Sequence, residues 1–355
     1  MDTAAPQKST YLARIETLLY APDIDRKLSE PGFRDLPAEI SELTRRAFEE
    51  ESAADQQHVH EVLYAINVAS LALPWECDAV WPNHPLIAGI RRTIESAWER
   101  SERVRHERVL QSAPPAAKFE QWITEHIRDH RSNVSHPLFR FLKEEATLDQ
   151  LRLFFFQETP FDIFHADLIT MMMPGIYGVV KQEMAHNFWD EMGGGRAEAM
   201  HRTIRIDTAR SLGLDTEAHV REIHRFCCEE LALANMYFDT IANRGKLLQG
   251  IGAMLATETM VPGRINHQIA GFRRNGLDDG QIYYLTLHAE VDIEHGRGWM
   301  RNVVLPVLGQ HPAALREVLL GVERRLHCAG AVCDRMLRFL PAAAPAQARA
   351  LAGVS

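Results

Sequence analysis

His288, Asp292 and His295 stand in an H-x-x-x-D-x-x-H array within a stretch that reads as one helix. At about 100° per residue they point in directions near 0°, about 40° and about 340° around the axis, inside one narrow sector. Two imidazoles and a carboxylate on successive turns of one face can reach a single centre. Nitrogen and oxygen donors without thiolate suit iron, manganese or zinc. Three ligands on one helix cannot enclose a metal, so the array requires donors from elsewhere.

Glu258 lies in Ala256-Thr257-Glu258-Thr259-Met260-Val261-Pro262, beside the apolar residues Ile251, Met254 and Leu255. A carboxylate there carries a desolvation cost of several kcal/mol unless it is paired, protonated or metal-bound. Pro262 withdraws the N–H that would bond the Glu258 carbonyl, which predicts a local opening of the helix. The bland alternative is a surface glutamate at a helix end. Glu191 and His201 flank Gly193-Gly194-Gly195. Ten residues rotate by about 280° on a straight helix, so only a turn at the glycines returns both side chains to a common centre. Without that turn, Glu191 is an ordinary acid at a helix end.

Glu158, Asp162 and His165 share a face if their helix survives Pro160. Glu158 is the preferred ligand among them. Asp162 and His165 are read as groups that orient a ligand or as surface residues. His186, His224, His267 and His327 lack matching partners and read as structural or exposed. Metal-free acid–base chemistry by paired carboxylates is a weaker alternative, because several Glu and His on separate helices match dinuclear carboxylate sites better. The Glu-x-x-His pairs Glu183/His186 and Glu198/His201 sit close together across the glycines, which disfavours a ferritin-like bundle.

The elements that must position these residues read as helices throughout, since β-branched alternating runs are nearly absent. Helical patterns cover 9–20, 37–73 and 85–111 in a first region, the last opening on Pro85. Ser112-Ala113-Pro114-Pro115-Ala116-Ala117 is a candidate linker. A second region carries helices from 119 onward, at 176–192, 197–211, 215–242, 245–260, 263–274, 278–306 and 311–340. The expected organisation is a helical N-terminal extension over 1–111, a metal-binding domain over 119–340 and a disordered tail over 341–355.

A net charge of −9 with no basic tract argues against nucleic-acid partners. No run of about 18 apolar residues suggests a membrane span, and the N-terminus lacks a secretory pattern. The five cysteines fit no zinc spacing and read as reduced thiols, so a cytoplasmic location is expected.

Taken together, Phe156-Gln157-Glu158, the run from Lys181 through Glu191 to Gly195 with His201, Ala256-Thr257-Glu258 through Pro262, and His288, Asp292 and His295 resemble one family. It is the haem-oxygenase-like diiron oxidases and oxygenases, which bind no haem despite the fold's name. The resemblance covers about 119–310 and implies an all-α, haem-oxygenase-like helical bundle. It implies that Glu191, His201, Glu258, His288, Asp292 and His295 hold two Fe ions cycling between Fe2+ and Fe3+, with Glu158 as an additional carboxylate. Dioxygen would be the co-substrate, and a reductase or other external electron donor would supply electrons. The N-terminal helices resemble those of the amine N-oxygenase branch and imply a homodimer. The expected reaction is therefore N-oxygenation of an amine or amino acid in natural-product biosynthesis. Alternatives are desaturation, oxidative decarboxylation or C–C cleavage, and, in another class, a non-catalytic helical scaffold. Arg264, Arg297, Lys181 and Tyr284 are candidate partners for a substrate carboxylate.

Overall fold

The computed structural model describes residues 8–214, 222–343 and 345–353. Among these every regular element is a helix, and no strand occurs. The chain has an all-α, haem-oxygenase-like fold. No helix among the described residues is long and apolar enough to cross a membrane.

The described residues form two compact units, one within 1–107 and 222–235, the other within 108–221 and 236–355. The first contains α1 (Thr10–Leu19), α2 (Ile24–Leu28), α3 (Pro31–Arg34), α4 (Leu36–Phe48), α5 (Ala53–Ala69) and most of α6 (Pro85–Gln111). The helix expected over 37–73 is thus two helices. The chain turns at Glu51, whose φ is 53°, and restarts where the Ser52 hydroxyl accepts from the Asp55 N–H. The N-terminal extension is also not one continuous stretch, because residues 222–235 join it. Asn235 is the reason. Its Nδ2 donates to the His60 carbonyl at 2.9 Å, and its Oδ1 accepts from Asn67 Nδ2 at 2.9 Å, all in buried surroundings. The helix expected over 215–242 is seen as α14 (Cys228–Ala242), and its predicted beginning at 215–221 lies outside the described residues.

The second unit holds α7 (Phe119–Asp129), α8 (Pro137–Glu144), α9 (Leu148–Gln157), α10 (Thr159–Asp162), α11 (His165–Met172), α12 (Gly178–Glu191) and α13 (His201–Ser211). After α14 come α15 (Leu247–Arg274), α16 (Tyr283–Gly298), a π-helical stretch (Trp299–Val304), α17 (Leu305–Gln310), α18 (Leu315–Phe339) and α19 (Pro345–Ala352). The central member is α15, packed against α8, α16 and α18. Small residues allow this. A Cβ on Gly252 would stand 1.9 Å from the Val318 carbonyl oxygen, and one on Gly271 would stand 2.3 Å from that of Leu142. The two helices expected at 245–260 and 263–274 are therefore one, running unbroken through Pro262. Proline costs roughly 3 kcal/mol in a helix interior; burial of α15 on several sides by its neighbours offsets it.

Residues 345–352 correct a further expectation, that of a disordered tail. They form α19 against α9, with Ala348 and Ala352 buried and Arg349 Nε 3.2 Å from Asp149 Oδ2. Small alanines at four-residue spacing give this segment an apolar face that a composition-based reading treats as featureless.

Candidate metal centre

Four local decisions bring the donors together. The first is the turn after α12. Gly193, Gly194 and Gly195 all have positive φ (63°, 62° and 86°), and a Cβ on Gly193 would stand 2.6 Å from the Ala199 backbone. The chain folds back tightly enough that α13 starts at His201, not at Ala197 as the pattern suggests. Glu191, the last residue of α12, then faces His201, the first of α13, with Nδ1 to Oε2 at 2.5 Å.

The second decision is at Pro160. The helix carrying the aromatic run stops at Gln157, Pro160 sits in the first turn of the short α10, and α11 begins afresh at His165. Glu158, Asp162 and His165 therefore form no stripe. Glu158 is half-buried and its Oε1 accepts from Gln268 Nε2 at 3.0 Å. Burial and the neighbouring Asp162 carboxylate push its carboxyl up to about 8. Asp162 instead accepts from the wholly buried Arg205, Nε to Oδ2 at 2.9 Å. His165 is the member that reaches the acids, with Nε2 3.5 Å from Glu258 Oε1 and 3.9 Å from Glu191 Oε1. Its ring stacks on His201 with centroids 5.4 Å apart.

Third, Pro262 does not open α15 but leaves the Glu258 carbonyl without its helical N–H, and Gly296 packs against that carbonyl. This close crossing of α15 and α16 sets Glu258 beside His295, whose Nδ1 lies 3.7 Å from Glu258 Oε2. Fourth, α16 presents His288, Asp292 and His295 inward as their spacing predicts, each of them buried.

Two donor groups result, Glu191/His201/His288 and Glu191/Asp292/His295, with ligand atoms in each within 4.8 Å of one another. Glu191 belongs to both. His288 Nε2 stands 2.9 Å from His201 Nδ1, and His295 Nδ1 stands 3.7 Å from Asp292 Oδ1. Glu183, of the ferritin-like alternative, instead accepts from Asn302 at 2.6 Å, and Glu198 is exposed.

The far nitrogens of three histidines are held in ways that turn the near ones inward. His288 Nδ1 meets the Tyr284 carbonyl at 2.7 Å, His201 Nε2 meets the Tyr284 hydroxyl at 3.3 Å, and His295 Nε2 meets Asp190 Oδ2 at 3.2 Å. Outer partners of this kind fix the tautomer of metal-binding imidazoles. Meanwhile Glu258 Oε1 and His295 Nδ1 are buried without a hydrogen-bond partner. Orphaned donors and acceptors converging at one place cost free energy unless something ligates them. The residues fit iron.

Electrostatics points the same way. Burial raises Glu191, but His201 and His165 outweigh it and hold the carboxyl far below the usual range. Glu258 is likewise raised by burial and drawn down, to about 2, by His165 and His295. Burial disfavours charge on His165 and His295, yet Glu191 and Glu258 beside His165, and chiefly Glu258 beside His295, lift them to about 9 and about 10. Burial and the His201 ring lower His288 to about 4. Asp292 is pushed up by burial, then by Glu258 and Glu191. Two imidazoliums thus balance two carboxylates where a cation would otherwise sit.

A cavity of about 400 Å³ opens onto this cluster from the glycine turn. Gly193, Arg196, Ile204, Tyr283, Leu287 and Val291 line it, with His201, His288 and His295 at one side. Lys181 and Arg297, two candidate substrate partners, are exposed, and Arg297 pairs with Glu294. Arg264 is buried over the Phe139 ring, and Tyr284 is taken up by His201.

A sequence family described as iron-containing redox enzymes matches residues 152–330, just over half of the chain. The chain belongs to this family. It is accordingly an oxidoreductase, not the helical scaffold weighed above. It is similar to a nitrosourea synthase of Streptomyces achromogenes subsp. streptozoticus, 24% identical over 174 residues, which is 48% of this chain and 36% of that enzyme. It is also similar to a 4-chloro-allylglycine synthase of Streptantibioticus cattleyicolor, 24% identical over 236 residues, 62% of this chain and 85% of that enzyme. The match thus spans about a third of the first relative's length and most of the second's.

Sequence reasoning missed Asp190 and undervalued His165. Asp190 adjoins Glu191 at the end of α12, a position from which either residue can turn inward, so nothing in its spacing marks it. The signal for His165 was its distance from Pro160: a break there frees it from the face of Glu158.

Proposed function

We propose that this protein activates dioxygen at a two-iron centre and oxygenates the nitrogen of an amine or amino acid. The observation that carries the reading is the position of Glu191, shared by a His201/His288 pair and an Asp292/His295 pair. Glu258 supplies a further carboxylate. When bound, the iron pair would supply the electrons that reduce dioxygen and the oxidising power that reaches the substrate. The protein's own part is to orient. Tyr284 and Asp190 fix the imidazoles, and burial keeps bulk water from the acids.

The cavity beside the cluster is the substrate's place in this reading. Arg196 is the side chain there suited to a carboxylate, and Ile204, Leu287 and Val291 offer an apolar wall. An amino acid held by Arg196 would extend its remainder toward His201 and His288. A nitrosourea, named by one relative, contains an oxidised nitrogen, which supports N-oxygenation. A second reading draws on the other relative, named for an allylglycine and matched over most of its length: formation of a carbon–carbon double bond. An external electron donor and a homodimer are part of the proposal.

Anaerobic ferrous loading is expected to give about two irons per chain, as in dinuclear bundle sites, and to raise Tm as a ligand of the native state must. The double variant His288→Ala/His295→Ala should lose both effects. Unchanged iron uptake by that variant would overturn the site. Exposing the loaded protein to oxygen with amines and amino acids then separates the readings by product mass, since N-oxygenation adds oxygen whereas alkene formation removes hydrogen or carbon dioxide.

A further inference from the structure

We infer that His165 is itself a ligand of the metal centre, so that the donor set is His165, His201, His288 and His295 with Glu191, Glu258 and Asp292. The inference rests on the two-iron reading above and adds to it a residue that the sequence motifs passed over in favour of Glu158.

Three observations converge. His165 is buried, and its Nε2 faces two carboxylate oxygens from different helices, Glu258 Oε1 at 3.5 Å and Glu191 Oε1 at 3.9 Å. These separations suit neighbouring donors around a common ion better than a direct hydrogen bond, and Glu258 Oε1 has no hydrogen-bond partner. Secondly, His165 opens α11, directly after the break that Pro160 and α10 impose. That break aims the residue at the cluster from a side that α12, α13, α15 and α16 do not supply. Thirdly, Glu158 is engaged elsewhere. Gln268 holds its Oε1, and the buried Arg205 and Asp162 occupy the space between α10 and α13.

The chemical consequence is a centre richer in imidazole than a carboxylate-dominated one. Replacing an anionic donor by a neutral one leaves more positive charge on the bound metals. It should favour the ferrous state and shift ligand-field spectra.

The test loads the full-length protein anaerobically with Fe2+, and separately with Co2+, whose visible bands report coordination. Variants are His165→Ala, His165→Glu and Glu158→Gln, each checked for folding by circular dichroism and metal-free Tm. His165→Ala is expected to fold but to bind about one metal fewer than the parent's about two, with a smaller metal-induced rise in Tm and altered Co2+ bands. His165→Glu should restore the stoichiometry with bands unlike the parent's, and Glu158→Gln should load as the parent does. If His165→Ala does not fold, the His165→Glu bands decide: a spectrum identical to the parent's overturns the assignment. Full loading with unchanged bands in His165→Ala, or loss of a metal in Glu158→Gln, also overturns it. These results leave the two-iron reading intact. Failure of the parent itself to bind metal would remove that reading instead.

Discussion

A Cβ on Gly296 would stand 2.9 Å from the carbonyl oxygen of Glu258, the carbonyl that Pro262 deprives of its helical N–H. A proline on α15 and a glycine on α16 thus act as a pair. One frees the carbonyl, and the other lets the neighbouring helix approach it. Because Glu258 and His295 flank this crossing, the spacing of backbones sets the spacing of donors. Replacing Gly296 by alanine must separate two backbones, since no flexible side chain can yield. Overpacking of this kind costs about 1–3 kcal/mol. The variant should lose that much stability in denaturant unfolding and bind iron more weakly, while Gly89→Ala, with open space around its Cβ, should do neither.

Glu191 belongs to both donor groups, whereas His288 belongs to one. Single variants should therefore differ in stoichiometry. Glu191→Ala is expected to lose most of both metals, and His288→Ala to retain about one of about two. Metal analysis after desalting reads this directly; equal losses in the two variants would argue against a shared carboxylate.

Metal uptake should depend on pH with a definite sign. His165 and His295 titrate near 9 and near 10, above the ordinary imidazole value of about 6.5. Their charged forms stabilise the metal-free fold fully below about pH 6.5, and that contribution fades as pH rises through 9 to 10. Ligation needs neutral imidazole, so loading at neutral pH must expel protons and affinity must climb as pH rises. Calorimetric titration with Mn2+ in buffers of different ionisation enthalpy should show proton release at pH 7. An affinity that is flat from pH 6.5 to 8.5 would contradict the assignment of His295 as a ligand.

Arg205 is wholly buried between Asp162, the Phe155 carbonyl and the Phe155 ring, the last 3.5 Å from its guanidinium carbon. Removing one partner of a buried ion pair costs about 3–5 kcal/mol because the other charge is stranded. Arg205→Ala should be destabilised by that amount. Arg205→Met with Asp162→Asn should recover much of it, as a double-mutant cycle in urea would measure.

Arg196 lines the cavity and is exposed, its Nε donating to the Gly193 carbonyl at 3.3 Å. Arg196→Ala should raise KM for carboxylate-bearing substrates by about tenfold or more, equivalent to the roughly 1.5–3 kcal/mol of a charged hydrogen bond. It should leave iron content and the KM of amines without a carboxylate unchanged. An equal effect on both substrate classes would remove the carboxylate from the cavity model.

The sequence by itself determined the helical class and the inward face of α16, because a 3.6-residue period fixes which side chains align whatever they pack against. It also determined that Glu191 and His201 could meet, since three consecutive glycines permit a left-handed turn closed to other residues. Only the tertiary structure decided that Pro262 stays inside a helix, that residues 222–235 join the N-terminal unit, and that 345–352 form a helix. Each depends on partners distant in the chain, whose burial offsets a local preference. The same holds for the choice between Glu158 and His165. Local spacing placed both on one face, but the break at Pro160 and the buried Arg205 gave the inward position to His165. A residue's neighbours in sequence set what its side chain can reach, and its neighbours in space set what is left for it to bind.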